Sequence, residues 1–299
     1  ASYSQGVITE ERLAHSVKKI LRYKFKSGLN SPKPVEITNL ISDINPSQNE
    51  ALSYKLYENA ITVLKNEKNI LPIKDLSQKI AYVKLGDAVN STFVSTLKKY
   101  TEVTEVSNTN IDSLNTELKK YDTVIIGFHK ENKTWAKHDF TDTEMLWMQE
   151  IAKHNIVILD VFAKPYSLLP ITNFEDIEGV VVSYQNSEVS QIVSAELLFG
   201  AVNAKGKLPV SINNFFPVNY GLSTEKLNRL GFTAPENETM NPQILSKIDS
   251  IAQKAIDGKM TPGMQVLVAR KGNVIFQKSY GHLTYDNSKT VSNSDLYDV

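Results

Sequence analysis

Apolar positions recur along this chain with two different periods, and the places where the period changes divide it. At the start, Leu13, Val17, Ile20, Leu21 and Phe25 fall on one face at helical spacing, with Thr9 as N-cap and Gly28 as stop. A polar, proline-containing connector follows to Pro46. Ser47 and Glu50 form a capping box that opens a helix expected to reach about Lys65. Short apolar runs then alternate with helical patterns. Strands are predicted at Ile80–Leu85, Glu102–Val106, Thr123–Phe128, Ile156–Val161 and Gly179–Ser183. Helices are predicted at Thr92–Tyr100, Ile111–Lys120, after the Thr141/Glu144 cap, and from Ser187 to Phe199, ending at Gly200.

Apolar strands separated by helices of this length imply a mostly parallel sheet covered on both faces. The fold class expected is therefore α/β: a doubly wound, flavodoxin-like sandwich over 47–215, plus an N-terminal helix and a C-terminal helix-hairpin piece. Residues 1–30 read as a lone helix, 31–46 as a connector and 216–240 as a linker rich in Asn, Pro, Glu and Thr. In 241–299, Asn241 and Pro242 begin a helix that Gly258 ends, and Met264–Ala269 and Val274–Tyr280 form a hairpin around Lys271-Gly272-Asn273. This last piece is near the lower size limit for a stable unit, so its apolar faces are expected to be covered by another surface.

Composition narrows the chemistry. With 41% hydrophobic and 22% charged residues the chain is globular rather than disordered, and no apolar run approaches a membrane span. The 33 basic residues equal the 33 acidic ones, so nothing in the charge favours nucleic acid. Lys18-Lys19 and Lys119-Lys120 read as solvated helix faces, not as part of a basic stripe. There are no cysteines, which excludes disulfides and thiolate chemistry. Ala1-Ser2-Tyr3 reads as a start inside a longer protein, so the lack of a leader leaves the compartment open.

Four segments resemble known families. GVITEERLAHSVKKILRYKFKSGL (6–29) resembles the helix that closes the catalytic barrel of glycoside hydrolase family 3. AITVLKNEKNILPI (60–73) and LLFGAVNAKGKLPVSI (197–212) are similar to the entry and the end of that family's second domain. LSKIDSIAQKAIDGKMTPGMQVLVARKGNVIFQKSYG (245–281) resembles the opening of serine β-lactamase-like hydrolases, whose Ser-x-x-Lys nucleophile would follow a stretch like SDLYDV. These resemblances imply an accessory region of a β-N-acetylglucosaminidase-like hydrolase fused to a serine hydrolase, active on amino-sugar glycosides in the cell envelope, periplasm or outside the cell. They imply that the catalytic residues lie in a barrel outside this chain, that no cofactor is used, and that the fragment is inactive alone. Its partners would be that barrel, the rest of the serine hydrolase and a carbohydrate; a homodimer through the open apolar ends is also admitted.

Among the residues present, the segment His129–Asp139 leaves the carboxyl end of a parallel strand, where open α/β sheets place ligand-contacting loops. By resemblance to glucosidase-like relatives, Glu131 is the candidate acid/base; Trp135 is a candidate for stacking on a sugar, and His138 for contacting it. The same stretch also reads, more simply, as an exposed polar loop with a packing tryptophan. A small-ligand or carbohydrate-binding flavodoxin-like module is the alternative function. His138-Asp139 is poorly placed for a catalytic pair, because neighbours in an extended segment point apart. His15 and His154 read as surface residues on helices. Ser16–Lys19, Ser95–Lys98 and Ser223–Lys226 match Ser-x-x-Lys only by chance, lacking a desolvated lysine. Gly86-Asp87 lacks the spacing of a nucleotide loop. Asp87 and Asp160, read as strand-end residues, fall short of an acidic metal cluster, and no histidine–carboxylate spacing suggests zinc.

Overall fold

A computed structural model describes residues 2–133, 135, 137–286 and 288–297. Of the loop expected at 129–139, Thr134 and Ala136 lie outside the described residues, as do Ala1, Asn287, Asp298 and Val299. The chain divides into two compact units, Ala1–Pro46 and Ser47–Val299.

The first unit contains α1 (Glu10–Lys26) and α2 (Leu40–Ile44). The Thr9 hydroxyl accepts from Arg12 N at 3.2 Å, and Glu10, Glu11, Lys24 and Lys26 complement the helix dipole. None of the residues of α1 is buried. Lys18 and Lys19 are exposed, as read, but they join His15, Arg22 and Lys26 around one shallow groove. The basic side of α1 is therefore longer than that pair, a gathering that a chain-wide charge balance conceals.

The second unit is built on a six-stranded sheet. Its elements are α3 (Ser47–Ala60), β1 (Thr62–Asn66), β2 (Ile80–Gly86), α4 (Ser91–Leu97), β3 (Val103–Glu105), α5 (Ile111–Leu118), β4 (Thr123–His129), α6 (Asp142–His154), β5 (Val157–Phe162), β6 (Gly179–Val182) and α7 (Glu188–Leu198). The order is β1-β6-β5-β4-β2-β3, with β1 antiparallel and the others parallel. Counted among themselves, the parallel strands run 2-1-3-4-5, the flavodoxin order, with a switch point between β2 and β4. The expected fold class is the observed one.

Side chains alternate between two cores. Ala81, Val83, Val124, Ile126, Leu159 and Val161 face Leu114 of α5 and Met148 and Ile151 of α6. Ile80, Tyr82, Ile125, Ile158 and Val181 face Tyr54 of α3, Phe93 of α4 and Val193 of α7. Because both faces are covered, the strands read as continuous apolar runs rather than alternating ones.

One helix is shorter than its pattern predicts: α3 stops at Ala60, and Thr62–Asn66 is a strand. Val63 and Leu64 point into opposite cores, and the segment pairs antiparallel with β6. That partner lies more than a hundred residues away, beyond any local periodicity. The helix expected after Asn241 is likewise two pieces, α8 (Pro242–Leu245) and α9 (Lys247–Asp257).

The segment 216–240 is a strap along the α/β layer rather than a free tether. Leu222 bridges Val63 of β1, and Thr224 accepts from Ala204 N at 2.8 Å. The Arg229 guanidinium donates to the carbonyls of Ile73, Phe199 and Lys74 at 2.6–2.7 Å. The buried Glu196 carboxyl group accepts from Phe232 N, and the Lys99 ammonium lies 3.7 Å from the Phe232 ring centroid. At Gly231–Phe232 the strap becomes β7, the parallel neighbour of β9 (Asn273–Gly281), which pairs antiparallel with β8 (Gly263–Arg270). Lys271 and Gly272 turn the hairpin at φ 51° and 87°. Asp249 of α9 accepts from Tyr280 and Lys278 of β9. Coverage of this small sheet is partial: Val274 and Ile275 are buried, Val266 and Val268 half-buried, and Leu267 52% exposed.

Among the described residues no helix is long and apolar enough to cross a membrane.

Candidate functional site

Ligand-contacting loops of an open parallel sheet gather at the carboxyl ends of its strands, here those of β2, β4, β5 and β6. Two glycines shape this edge. Gly86 closes β2 at φ +88°, where a Cβ would stand 2.0 Å from the His129 carbonyl oxygen, so only glycine lets the chain pass there. Gly127 of β4 leaves room for a polar contact, since a Cβ there would lie 2.5 Å from His129 Nε2 and 2.6 Å from the Tyr82 hydroxyl.

That contact is the centre of a buried network. His129 is wholly buried, stacked on Phe162 with centroids 4.3 Å apart. Its Nδ1 lies 2.7 Å from Asn186 Oδ1 and its Nε2 2.9 Å from the Tyr82 hydroxyl. Asn186 gives its Nδ2 to the Val89 carbonyl, so its Oδ1 is the acceptor and His129 carries its proton on Nδ1. Nε2 then accepts from Tyr82, whose oxygen accepts from Asn90 Nδ2 at 3.2 Å. Gln191 completes the chain, donating to Asn186 Oδ1 and accepting from Phe93 N. Burial disfavours the imidazolium and pushes the His129 pKa down to about 4. A protonated ring would also turn Nε2 into a donor aimed at the Tyr82 hydroxyl, which already accepts from Asn90 and would lose its own acceptor. The histidine is thus held neutral.

Beside it, Lys130 is buried and sits 3.4 Å from Glu144 and 3.8 Å from Asp87. Glu144 also accepts from Gly86 N at 2.9 Å and closes the capping box with Thr141. This cluster ties the end of β2 to α6 and fixes where the loop after β4 departs.

Outward of the network lies a cleft of about 410 Å³ lined by Tyr57, Asn132, Lys133, His138, Ala163, Lys164, Pro165, Tyr184 and Gln185. Of the candidates named from sequence, His138 lines it, half-buried, with Nε2 3.3 Å from the Lys133 carbonyl. Glu131 is exposed and pairs with Lys133. Trp135 is 95% exposed, unlike the packing tryptophan of the simpler reading. The structure brings His138 and Lys133 to the cleft and leaves Trp135 projecting from the same loop.

Asp160 is not at a strand end. It lies within β5, fully buried, accepting from Ser183 and Ser194 at 2.7 and 2.5 Å, and burial raises its pKa to about 7. Asp87 is exposed on a different strand end, so the two are separate. Ser95 donates to the Thr92 carbonyl and Lys98 pairs with Glu105, while Ser223 and Lys226 are exposed. Ser16 accepts from Arg12, and Lys19 is exposed. Among the described residues no group of three or more His, Asp or Glu side chains is placed to hold a metal.

The model of the glycosyl hydrolase family 3 C-terminal domain matches residues 61–249, well over half the chain. The chain belongs to this family. Solved structures agree on the fold. The β-glucoside phosphorylase BglX superposes with a TM-score of 0.52 at 21% identity, over 71% of this chain and 40% of that one. A β-glucosidase from Listeria innocua gives 0.55 at 16% identity, over 74% and 40%. The β-glucosidase EmGH1 from Erythrobacter marinus gives 0.50 at 14%, over 74% and 41%. The matched region thus spans about 40% of the length of these proteins. No curated protein sequence matches the chain.

Within this family 3 C-terminal domain, the residues that sequence reasoning misses are Tyr82, Asn186 and Gln191, and it reads His129 only as the start of a loop. The one local signal is Gly127 and His129 inside the apolar run TVIIGFH; the partners lie 47 and 57 residues away.

Proposed function

We propose that this chain is the accessory α/β region of a glycoside hydrolase, and that its loop after β4 is the edge facing the sugar site of the whole enzyme. The observation that carries this reading is Trp135, 95% exposed on a loop that leaves the carboxyl end of a central parallel strand. An indole so placed is poised to cover the apolar face of a sugar held by an adjoining surface. Glu131 and His138 stand on the same loop. Family membership supports the glycosidase association. The resemblance to a family 3 region followed by a serine β-lactamase-like unit supports β-N-acetylglucosaminide as the substrate of the parent, in the cell envelope. The order α9, β8, β9 supports reading 241–299 as the opening of a serine β-lactamase-like unit.

The test is hydrolysis of fluorogenic β-glucosides and β-N-acetylglucosaminides by the purified chain. The expected result is no turnover above buffer, because two placed carboxyl groups are required for such chemistry and the cleft lining offers lysines, a histidine, tyrosines and amides. Turnover that disappears in Glu131→Gln would overturn the accessory reading and assign catalysis to this loop.

A further inference from the structure

We propose that the cleft at the ends of β4, β5 and β6 binds a sugar carrying a carboxylate. This rests on the saccharide-facing reading above and narrows it to an acidic saccharide.

Its size, about 410 Å³, falls within the roughly 300–1,000 Å³ of small-molecule sites. The polar atoms of its lining are unevenly spent. Tyr57 donates to Gln185 Oε1 at 2.6 Å, and Asn186 N donates to Asn132 Oδ1 at 3.1 Å, so each amide oxygen already accepts a bond within the fold. The Tyr184 hydroxyl is engaged with Thr62 at 2.8 Å. Among the described residues, no hydrogen bond or ion pair engages Gln185 Nε2, Asn132 Nδ2 or Lys164 Nζ. The groups still open are therefore a set of donors, one of them cationic, beside a second lysine and His138. A ligand complementary to this set brings acceptors and negative charge, as ring hydroxyl oxygens and a carboxylate do.

The Glu188 charge in the first turn of α7 weighs against any anion at that helix start, carboxylate and phosphate alike, so the anion is placed by Lys164 in the cleft rather than by the helix. Amide and lysine side-chain donors match the paired oxygens of a carboxylate, and glucose 6-phosphate tests the other anion. Tyr57, Tyr184 and Pro165 supply flat apolar surface suited to a pyranose.

The experiment is a titration of the whole chain with glucuronic acid, glucose and glucose 6-phosphate, followed by amide NMR at low and high salt. Glucuronic acid is expected to shift the amides of Asn132, Lys133, His138, Ala163, Lys164, Tyr184 and Gln185, with binding weakened by salt and at least about tenfold tighter than glucose, the cost of one charge-assisted hydrogen bond. Lys164→Ala, a change at an exposed position, should weaken it about tenfold. Gln185→Glu should abolish it while retaining the fold. Equal affinity for glucose would overturn the acidic preference and leave the accessory-domain reading standing. Tighter binding of glucose 6-phosphate would reassign the cleft to phosphorylated sugars. No binding, or shifts confined elsewhere, would overturn the cleft as a site, whereas the fluorogenic assay decides the accessory reading separately.

Discussion

Two polar clusters stand a few residues apart at the same strand ends, and they are built on opposite principles. Around His129 every donor meets an acceptor: Asn90 donates to Tyr82, Tyr82 to the imidazole, and the imidazole and Gln191 both donate to Asn186 Oδ1. In the cleft just outside, the side-chain amide oxygens of Gln185 and Asn132 each accept a bond within the fold, while among the described residues their amide nitrogens and the Lys164 ammonium have no partner. A buried polar group without a partner is costly, so a satisfied network rigidifies the fold. Open donors at a solvent-facing cleft carry no such penalty and remain available to a ligand. The inner cluster is scaffold and the outer one is surface for recognition; Asn186 links them, holding His129 with its side chain and Asn132 with its backbone.

Breaking the inner cluster should have the largest effect. His129→Ala removes a wholly buried ring and strands the Tyr82 hydroxyl, for an expected loss of about 3–5 kcal/mol in denaturant unfolding. The same residue shapes the acid limb. Its folded pKa of about 4 lies below the ordinary 6.5, so between these values the unfolded chain binds a proton that the folded chain refuses. Its contribution is intact above pH 6.5 and declines as pH falls toward 4, by about 3 kcal/mol in all. Urea midpoints across this range should show the decline in the wild type and a flatter profile in His129→Ala.

Glu196 acts with the opposite sign. Burial raises its pKa to about 8, so the folded carboxyl keeps its proton where the unfolded one has lost it, and stability falls as pH rises from about 4.5 to 8. Glu196→Gln preserves an acceptor for Phe232 N and should therefore gain stability over the wild type progressively from pH 5 to pH 9, as followed by Tm. A gain that does not grow with pH would show that Glu196 is not protonated in the fold.

A smaller effect is expected at the strap. Arg229→Ala frees three carbonyls and should cost about 2 kcal/mol. Hydrogen exchange should show β7 loosening before the parallel strands. The smallest belongs to the outer cluster: Lys133→Ala, whose partner Glu131 is also exposed, should leave Tm unchanged within error. A large destabilisation there would erase the contrast between scaffold and recognition surface.

Local signals read well where they suffice to specify the structure. Thr141 with Glu144, Gly200 after α7 and the Lys271-Gly272 turn all rest on contacts within a few residues, and all stand where the pattern places them. Strand β1 escapes a local reading because its stability comes from β6 rather than from its neighbours. The loop after β4 is legible as a loop, but its division into a tethered part at Asn132, a cleft part at His138 and a projecting Trp135 is not.

By itself the sequence determined the α/β alternation, the helix caps, the absence of thiol chemistry and the resemblance to family 3. Periodicity, capping and composition are properties of adjacent residues. Only the tertiary structure decided that His129 is neutral, that Asp160 is buried within β5 while Asp87 is exposed, that 216–240 straps the sheet, and that open donors converge on one cleft. Each of these depends on burial or on a hydrogen bond between residues remote in the chain, and folding alone brings such groups within reach.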